Sequence, residues 1–119
     1  MIILADTAVW IEHWRRRNDR VVQLLENKSL VVHPFVLGEI ALGRISSRAA
    51  VLADLALLDS PTVAENSDVL GLIKRTPLWG RGIGWVDAHL LATAMLDHIQ
   101  LWTLDQQLRT AAQELGVAF

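Results

Sequence analysis

Short apolar runs alternate with helix-like segments along this chain, and that alternation restricts its fold more than any other feature. Residues 2–5, 30–33 and 100–103 are short, mostly apolar runs typical of buried strands; residues 62–64 are a weaker candidate, and residues 117–119 could add an edge strand. Helices are predicted at residues 7–14, 18–27, 35–45, 47–58, 67–76, 85–98 and 105–115. Strands joined by crossover helices pair in parallel. We therefore predict an α/β fold, with a central parallel sheet of four to five strands flanked by helices in three layers.

Length and composition favour a single domain, which we place at residues 1–119. Hydrophobic residues make up 52% of the chain and charged residues 20%, enough for a sizeable core. The net charge of −2 gives no global sign of nucleic-acid binding, although a local basic patch can act independently of the total. Cysteine is absent, which excludes disulfides and thiolate zinc sites. No segment has the pattern of a signal peptide or a membrane span, so we expect a cytoplasmic protein without a membrane partner.

Four acidic residues occupy positions that such a fold would bring together. Asp6 ends the first apolar run, Asp105 follows the strand at residues 100–103, Asp87 lies near the start of an apolar helix, and Glu39 lies within another helix. The carboxyl ends of parallel strands meet at one edge of the sheet, where open α/β sheets build their sites. Clustered carboxylates repel one another unless a cation neutralises them. Oxygen ligands suit Mg²⁺, for which Mn²⁺ can substitute.

Each acid also has a structural interpretation, which the residues alone leave open. Asp6, Asp87 and Asp105 each stand near a helix start, where Asp is a favoured N-cap. Glu39 could lie on a solvated helix face, but its apolar neighbours predict a buried position, where an unpaired carboxylate is costly. The hydroxyls of Thr7 and Thr103 could hold a carboxylate or a metal-bound water. Helix capping explains Thr7 equally well, and the strand propensity of threonine explains Thr103 equally well.

Basic and aromatic residues offer candidate contacts for a partner. Arg15, Arg16 and Arg17 form the densest basic cluster and could flank the acidic site, although a solvated helix end also explains them. Arg81 lies in a glycine-rich loop, residues 80–84, from which it could reach an RNA backbone. Trp10 and Trp14 are four residues apart on one helix, and form a stripe that is either core or part of a groove for a partner. The four histidines lack zinc-site spacing.

Taken together, the contexts of these acids resemble a PIN domain. The matching segments are Asp6-Thr7, residues 36–43 around Glu39, residues 85–92 around Asp87, and Thr103-Leu104-Asp105. The resemblance covers the whole chain and is strongest to the VapC-type toxins of bacterial toxin–antitoxin pairs. It implies a Mg²⁺-dependent endoribonuclease in which the four acids hold the metal, with Thr103 near the site. It also implies an antitoxin that blocks the site, a homodimer, and inhibition of translation and growth when the toxin is free.

The chemistry expected of such a site is hydrolysis of an RNA phosphodiester by a metal-activated water, which leaves a 5′-phosphate and a 3′-hydroxyl. Two other readings compete with it. Haloacid-dehalogenase-like phosphatases also begin with a strand that ends in Asp, but they need a second Asp two residues later, where this chain has Ala8. A non-catalytic PIN-like module that binds RNA or protein remains open as the alternative.

Overall fold

The computed structural model describes all residues, Met1–Phe119, and consists of a small parallel sheet surrounded by helices. Its elements, in chain order, are β1 (Ile3–Ala5), α1 (Thr7–Arg15), α2 (Asp19–Glu26), β2 (Leu30–Val31), α3 (Pro34–Leu42), α4 (Arg48–Ala56), α5 (Asn66–Arg75), α6 (Trp85–Asp97), β3 (Gln100–Trp102) and α7 (Gln106–Glu114). Each predicted helix corresponds to one observed helix. The α/β class and the alternating order are therefore confirmed.

The first strand forms the centre of the sheet. The strand order is β2-β1-β3, and both pairs are parallel. Ile3 pairs with Leu30 on one side and with Gln100 on the other, so that all three strands point the same way. Their carboxyl ends consequently meet at one edge of the sheet. The three residues of β1 are completely buried, as a continuous apolar run in the middle of a parallel sheet requires.

The prediction of four to five strands is wrong, because the sheet has three. Residues 62–64 do not pair with a strand. Their backbone is instead held by α6, where the Thr62 amide donates to Asp97 Oδ2 (2.7 Å) and the Thr93 hydroxyl donates to the Thr62 carbonyl (2.9 Å). Side-chain partners on a helix thus satisfy backbone groups that a strand ladder would otherwise satisfy.

Two other predicted strands, at residues 30–33 and 117–119, are shorter than expected. Residues 117–119 form only an isolated parallel bridge between Leu101 and Ala118. The second strand stops at Val31, since the next amide, that of Val32, donates to the Asp59 carbonyl at 3.1 Å. Such short edges offer little unpaired backbone to another chain.

Helix α6 forms much of the core beside the sheet. Its central residues, 88–94, are all buried, including His89 and Thr93, whereas most helices of the chain bury one side only. This burial fixes the position of its first turn, which carries Asp87, relative to the carboxyl ends of the strands. No helix of the chain has the length and hydropathy of a membrane-spanning segment.

Candidate active site

Asp6 is the most buried of the four candidate acids, with 9% of its surface exposed. It directly follows β1 and is the N-cap of α1, where its Oδ1 accepts a hydrogen bond from the Thr7 amide at 2.7 Å. Its Oδ2 accepts from the Thr103 hydroxyl at 2.9 Å. Burial raises the pKa of Asp6; these hydrogen bonds oppose the rise, and the charges of Glu39 and Asp105 add to it. Capping and membership of a charged cluster are therefore both present in one side chain.

Glu39 lies on α3 and is joined to α1 by a side-chain contact. The Thr7 hydroxyl donates to Glu39 Oε1 at 2.8 Å. The expectation that this glutamate is buried was wrong, because α3 turns it outward and the side chain is exposed. Thr7 thus has two roles, since its amide binds Asp6 while its hydroxyl orients Glu39.

Asp87 is the third residue of α6 and therefore lies inside the helix, not before it. Its Oδ2 accepts a hydrogen bond from the Gly84 amide at 3.2 Å, an interaction typical of the first turn of a helix. Burial raises the pKa of Asp87; the bond from Gly84 lowers it, and the charges of Asp6, Asp105 and Glu39 raise it further. All three other acids act on this carboxylate, which indicates that the four belong to one electrostatic cluster.

Asp105 follows β3 and is the N-cap of α7. Its Oδ1 accepts from the Leu108 amide at 3.1 Å, and its own amide donates to the Thr103 hydroxyl oxygen at 3.1 Å. Thr103 is only 4% exposed and lies between two of the acids. It donates to Asp6 and accepts from the backbone of Asp105, so one hydroxyl fixes the ends of β1 and β3 relative to each other.

These acids line one open cleft of about 500 Å³ at the carboxyl edge of the sheet. The lining residues are Asp6, Thr7, Ala8, Ile11, Glu12, Arg15, Glu39, Asp87, Leu104 and Asp105. Sequence reasoning missed Ala8, Ile11, Glu12 and Leu104. A signal for the first three was present, since they are spaced with Arg15 as one face of the helix that Asp6 begins.

The donor set of the cleft fits a hydrated magnesium ion better than a directly caged metal. No three acidic or histidine side chains are arranged so that they could hold one ion together. The negative charges nevertheless raise the pKa of Asp6 and Asp87, and the two side-chain ion pairs of the chain lie outside the cleft. No lysine or arginine of the chain therefore forms an ion pair with the cluster. Mg²⁺ commonly keeps several waters and binds proteins through one or two carboxylates, which this arrangement allows.

The four candidate arginines differ in their positions. Arg15 lines the cleft, whereas Arg16 and Arg17 do not. Arg17 pairs with Asp19 at 3.1 Å on an exposed surface. Arg81 is held by Glu114 through two hydrogen bonds of 2.9 and 3.1 Å, so its guanidinium already has a carboxylate partner. Arg15 is thus the cation best placed to meet an anionic ligand in the cleft.

Two buried histidines lie behind the first turn of α6. His33 caps α3, and its Nδ1 accepts from the Phe35 amide at 3.0 Å. Its ring packs edge-on against Phe35, which packs in the same way against His89. Burial, reinforced by the nearby His89, lowers the pKa of His33 from 6.5 to about 4. Both rings are therefore neutral near pH 7, and they act as core residues that position α3 against α6.

Comparisons with known proteins agree with this fold. The family model of the PIN domain matches residues 3–114. A curated relative, Ribonuclease VapC32 of Mycobacterium tuberculosis, is 47% identical over 118 residues, which cover 98% of this chain and 95% of the relative; it is found in two strains.

Solved structures give the same picture of the fold. FitAcB from Neisseria gonorrhoeae superposes with a TM-score of 0.67 at 22% identity, covering 98% of this chain and 95% of that one. PAE2754 from Pyrobaculum aerophilum superposes with a TM-score of 0.61 at 17% identity, covering 98% and 90% of the two chains. At these identities the two structures support the fold alone.

Proposed function

The chain belongs to the PIN domain family, and from that membership and the acidic cleft we propose that it is a Mg²⁺-dependent endoribonuclease, the toxin of a toxin–antitoxin pair. Its strongest support is that Asp6, Glu39, Asp87 and Asp105, which are distant in sequence, line one cleft and influence one another's ionisation. Similarity to a ribonuclease over nearly the whole chain supports RNA as the substrate class.

In this proposal the chain's own residues supply a charged, oriented frame for the reaction. Mg²⁺, with Mn²⁺ as a substitute, would be held at this cluster by one or two of the carboxylates directly and by the others through its bound waters. When bound, the metal lowers the pKa of a water and neutralises charge on the phosphoryl oxygens. Thr103 and Thr7 keep Asp6 and Glu39 in fixed orientations through hydrogen bonds of 2.9 and 2.8 Å, which reduces the reorganisation needed during the reaction.

Arg15 completes the frame on the substrate side. It lies on the face of α1 that lines the cleft together with Asp6, and no carboxylate of the chain pairs with it. We assign it to an RNA phosphate next to the scissile bond. Hydrolysis in this arrangement leaves a 5′-phosphate and a 3′-hydroxyl, and the free toxin would stop translation and growth in the cytoplasm.

The antitoxin is proposed to dock beside the cleft. A largely apolar groove of about 220 Å³ lies between α1, α2 and α4 and is lined by Trp10, His13, Trp14, Leu25, Val51, Asp54, Leu55 and Leu58. The two indoles stack with their centroids 6.1 Å apart. An apolar segment of the antitoxin would fill this groove, and a basic side chain of the antitoxin would enter the acidic cleft. A homodimer is also proposed, from the family resemblance alone.

Cleavage of single-stranded RNA by the purified protein tests the enzymatic proposal. The parent should cleave in Mg²⁺ or Mn²⁺ and not in chelator, and the products should carry 5′-phosphates. Asp6→Asn, Glu39→Gln, Asp87→Asn and Asp105→Asn should each abolish cleavage while the protein remains folded. Glu26→Gln, an exposed acid on α2 far from the cleft, is the matched control and should cleave like the parent. Full activity in any cleft variant would remove that residue from the site.

The competing possibility is a non-catalytic PIN module that binds RNA or protein. It would bind RNA in Mg²⁺ without shortening it. The same assay separates the two functions, because intact RNA recovered from a stable complex would contradict the nuclease proposal and favour the binding module.

A further inference from the structure

Two exposed tryptophans border a second hollow on the far side of Asp87. The hollow measures about 200 Å³ and is lined by Ile73, Leu78, Trp79, Ile83, Gly84 and Trp85, with Ala88. Trp79 is 66% exposed and Trp85 45% exposed, which is unusual for the largest apolar side chains of a small domain. Neither the fold nor the acidic cleft requires these indoles to be at the surface.

The first turn of α6 lies between this hollow and the acidic cleft. Gly84 lines the hollow, and its amide donates to Asp87 Oδ2 at 3.2 Å. Trp85 begins the helix turn that carries Asp87, and Ala88 follows it directly. A group bound in the hollow would therefore lie within a nucleotide's reach of a phosphate bound at the acids.

The segment that carries the hollow is braced, so the indoles are presented in a fixed arrangement. Gly80 and Gly82 adopt left-handed conformations (φ 73° and 75°) that favour glycine. Between them, Arg81 binds Glu114 of α7 through two hydrogen bonds. The Trp85 ring packs edge-on against the buried His89, with the centroids 4.7 Å apart.

The chemistry of the hollow selects a flat, uncharged group. None of its lining side chains is charged, and the nearby Arg81 is already paired, so an isolated phosphate would find no partner there. Trp79 stacks on no other ring of the chain, which leaves its indole available to an aromatic ligand.

We propose that Trp79 and Trp85 form a nucleobase subsite that stacks one unpaired base of the RNA next to the scissile phosphodiester. The proposal rests on the proposed ribonuclease function and adds a reason for substrate choice. Stacking needs a base that is out of a duplex, so the preferred substrate is single-stranded or looped RNA. The two indoles position the RNA strand, while the acids and Arg15 bind at its phosphate.

The test combines protein variants with RNA that lacks one base. Trp79→Ala and Trp85→Ala are made in the parent and in the cleavage-deficient Asp6→Asn protein. Leu57→Ala, at an exposed apolar residue that lines neither the hollow nor the acidic cleft, is the control. A short single-stranded RNA that the parent cleaves once is compared with versions in which each nucleotide in turn is abasic. Binding is measured by fluorescence anisotropy on the Asp6→Asn background, and cleavage on the parent background.

We expect each tryptophan variant to bind and cleave the intact RNA about tenfold less well, as loss of one stacked base predicts. Removal of one particular base should reduce RNA binding and cleavage by the parent to the same extent. It should not reduce them further in the tryptophan variants. Trp79→Phe, which keeps an aromatic ring, should recover part of the loss. Leu57→Ala should behave like the parent, and melting temperatures establish that all the variants are folded.

The outcomes separate this proposal from the ribonuclease itself. If the parent cleaves RNA and the tryptophan variants do so equally well, the subsite is overturned and the nuclease stands. The same holds if removal of every base weakens the parent and the tryptophan variants alike. If one base and the tryptophans contribute to the same binding step but the RNA is never cut, the subsite stands and the nuclease fails. If the parent neither binds nor cuts RNA, both fail. If the variants change only the mass of the protein in solution, the hollow is a protein interface and the nucleobase proposal is wrong.

Discussion

At the scale of single residues, the threonine between two acids contributes most to the geometry of the cleft. The buried Thr103 hydroxyl donates to Asp6 and accepts from the Asp105 amide, so its loss would leave two poorly solvated groups without a partner. We expect Thr103→Val, which keeps the side-chain shape, to lower the free energy of unfolding by about 1–3 kcal/mol. It should also slow RNA cleavage.

The conservative substitution provides the control for this prediction. Thr103→Ser keeps the hydroxyl and should remain close to the parent in both properties. Urea unfolding and cleavage rates measured side by side decide the question. If the valine variant matches the serine variant, the hydroxyl does not organise the acids.

The position of Arg15 leads to a prediction about the electrostatic part of RNA binding. It lines the cleft, whereas Arg16, its neighbour in sequence, does not. Arg15→Ala should therefore weaken RNA binding and reduce its salt dependence by about one phosphate contact, a lower slope of log K against log salt. Arg16→Ala is the matched control and should leave both quantities unchanged. Equal effects of the two substitutions would mean that the arginines attract RNA only through general charge.

Asp87 distinguishes a charge cluster from an ordinary helix cap. Its pKa is raised by burial and by the neighbouring acids, so the carboxylate destabilises the folded state at neutral pH. Asparagine can still accept the Gly84 hydrogen bond but carries no charge. In chelator, Asp87→Asn should therefore be more stable than the parent by about 1 kcal/mol. Mg²⁺ should raise the melting temperature of the parent more than that of the variant.

The pH dependence of the metal-free parent follows from the same shift. Between the raised pKa of Asp87 and its ordinary value of 3.8, the folded state binds more protons than the unfolded state. The contribution of this residue to stability therefore improves as the pH falls through the raised pKa, and becomes constant below the ordinary one. Thermal melts of both proteins across this range test it. A variant that is less stable than the parent in chelator, together with no effect of Mg²⁺, would contradict the cluster.

At the scale of elements, helices were easier to predict than strands. The amphipathic pattern of α7, with Leu108, Ala111 and Ala112 buried, is visible in the sequence because period and burial coincide. The segment at residues 62–64 carries the composition of a strand, but its backbone partners are Asp97 and Thr93 on α6. Those partners depend on tertiary packing, which local sequence does not encode.

The same distinction explains the candidate site. That the four acids line one cleft could be predicted, because three of them stand at the ends of strands or at helix starts, where topology fixes their direction. The exposure of Glu39 could not be predicted, because α3 is almost uniformly apolar and its sequence has no polar face that would show which side meets solvent. The pairing of Arg81 with Glu114 joins residues 33 apart in sequence and depends on how the loop lies against α7.

The contact between α3 and α6 gives a prediction at this scale. The buried His33 has a pKa lowered to about 4, so between about pH 6.5 and 4 the unfolded state binds a proton that the folded state does not. Stability contributed by the neutral ring is therefore lost as the pH falls through this range. His33→Asn keeps an N-cap acceptor for the Phe35 amide but does not titrate.

The slope with pH, and not the absolute stability, is the quantity to compare. The parent should lose about 2 kcal/mol more than His33→Asn between pH 7 and pH 4.5, because the other titrating groups are common to both proteins. Urea unfolding at a series of pH values measures the difference. Parallel curves for the two proteins would show that His33 is protonated in the fold as easily as in the unfolded chain.

At the scale of the whole molecule, α1 separates the acidic cleft from the apolar groove. Ala8, Ile11, Glu12 and Arg15 face the acidic cleft, whereas Trp10, His13 and Trp14 face the apolar groove between α1, α2 and α4. The two surfaces are therefore one helix diameter apart, about 10 Å. A partner seated in the groove could extend a short segment around α1 into the cleft. Binding and inhibition would then be coupled without any change in the fold.

This arrangement predicts a variant that escapes inhibition and keeps its activity. Val51 on α4 lines the groove and is partly buried, so Val51→Asp places a charge where an apolar antitoxin segment would pack. The variant should cleave RNA at the parental rate, yet it should bind the antitoxin at least about tenfold more weakly and remain active in its presence. Leu42→Asp, at a 91% exposed position outside the groove, controls for the added charge and should be inhibited like the parent. Cleavage assays titrated with the proposed antitoxin give the measurement. Full inhibition of Val51→Asp would place the antitoxin elsewhere on the molecule.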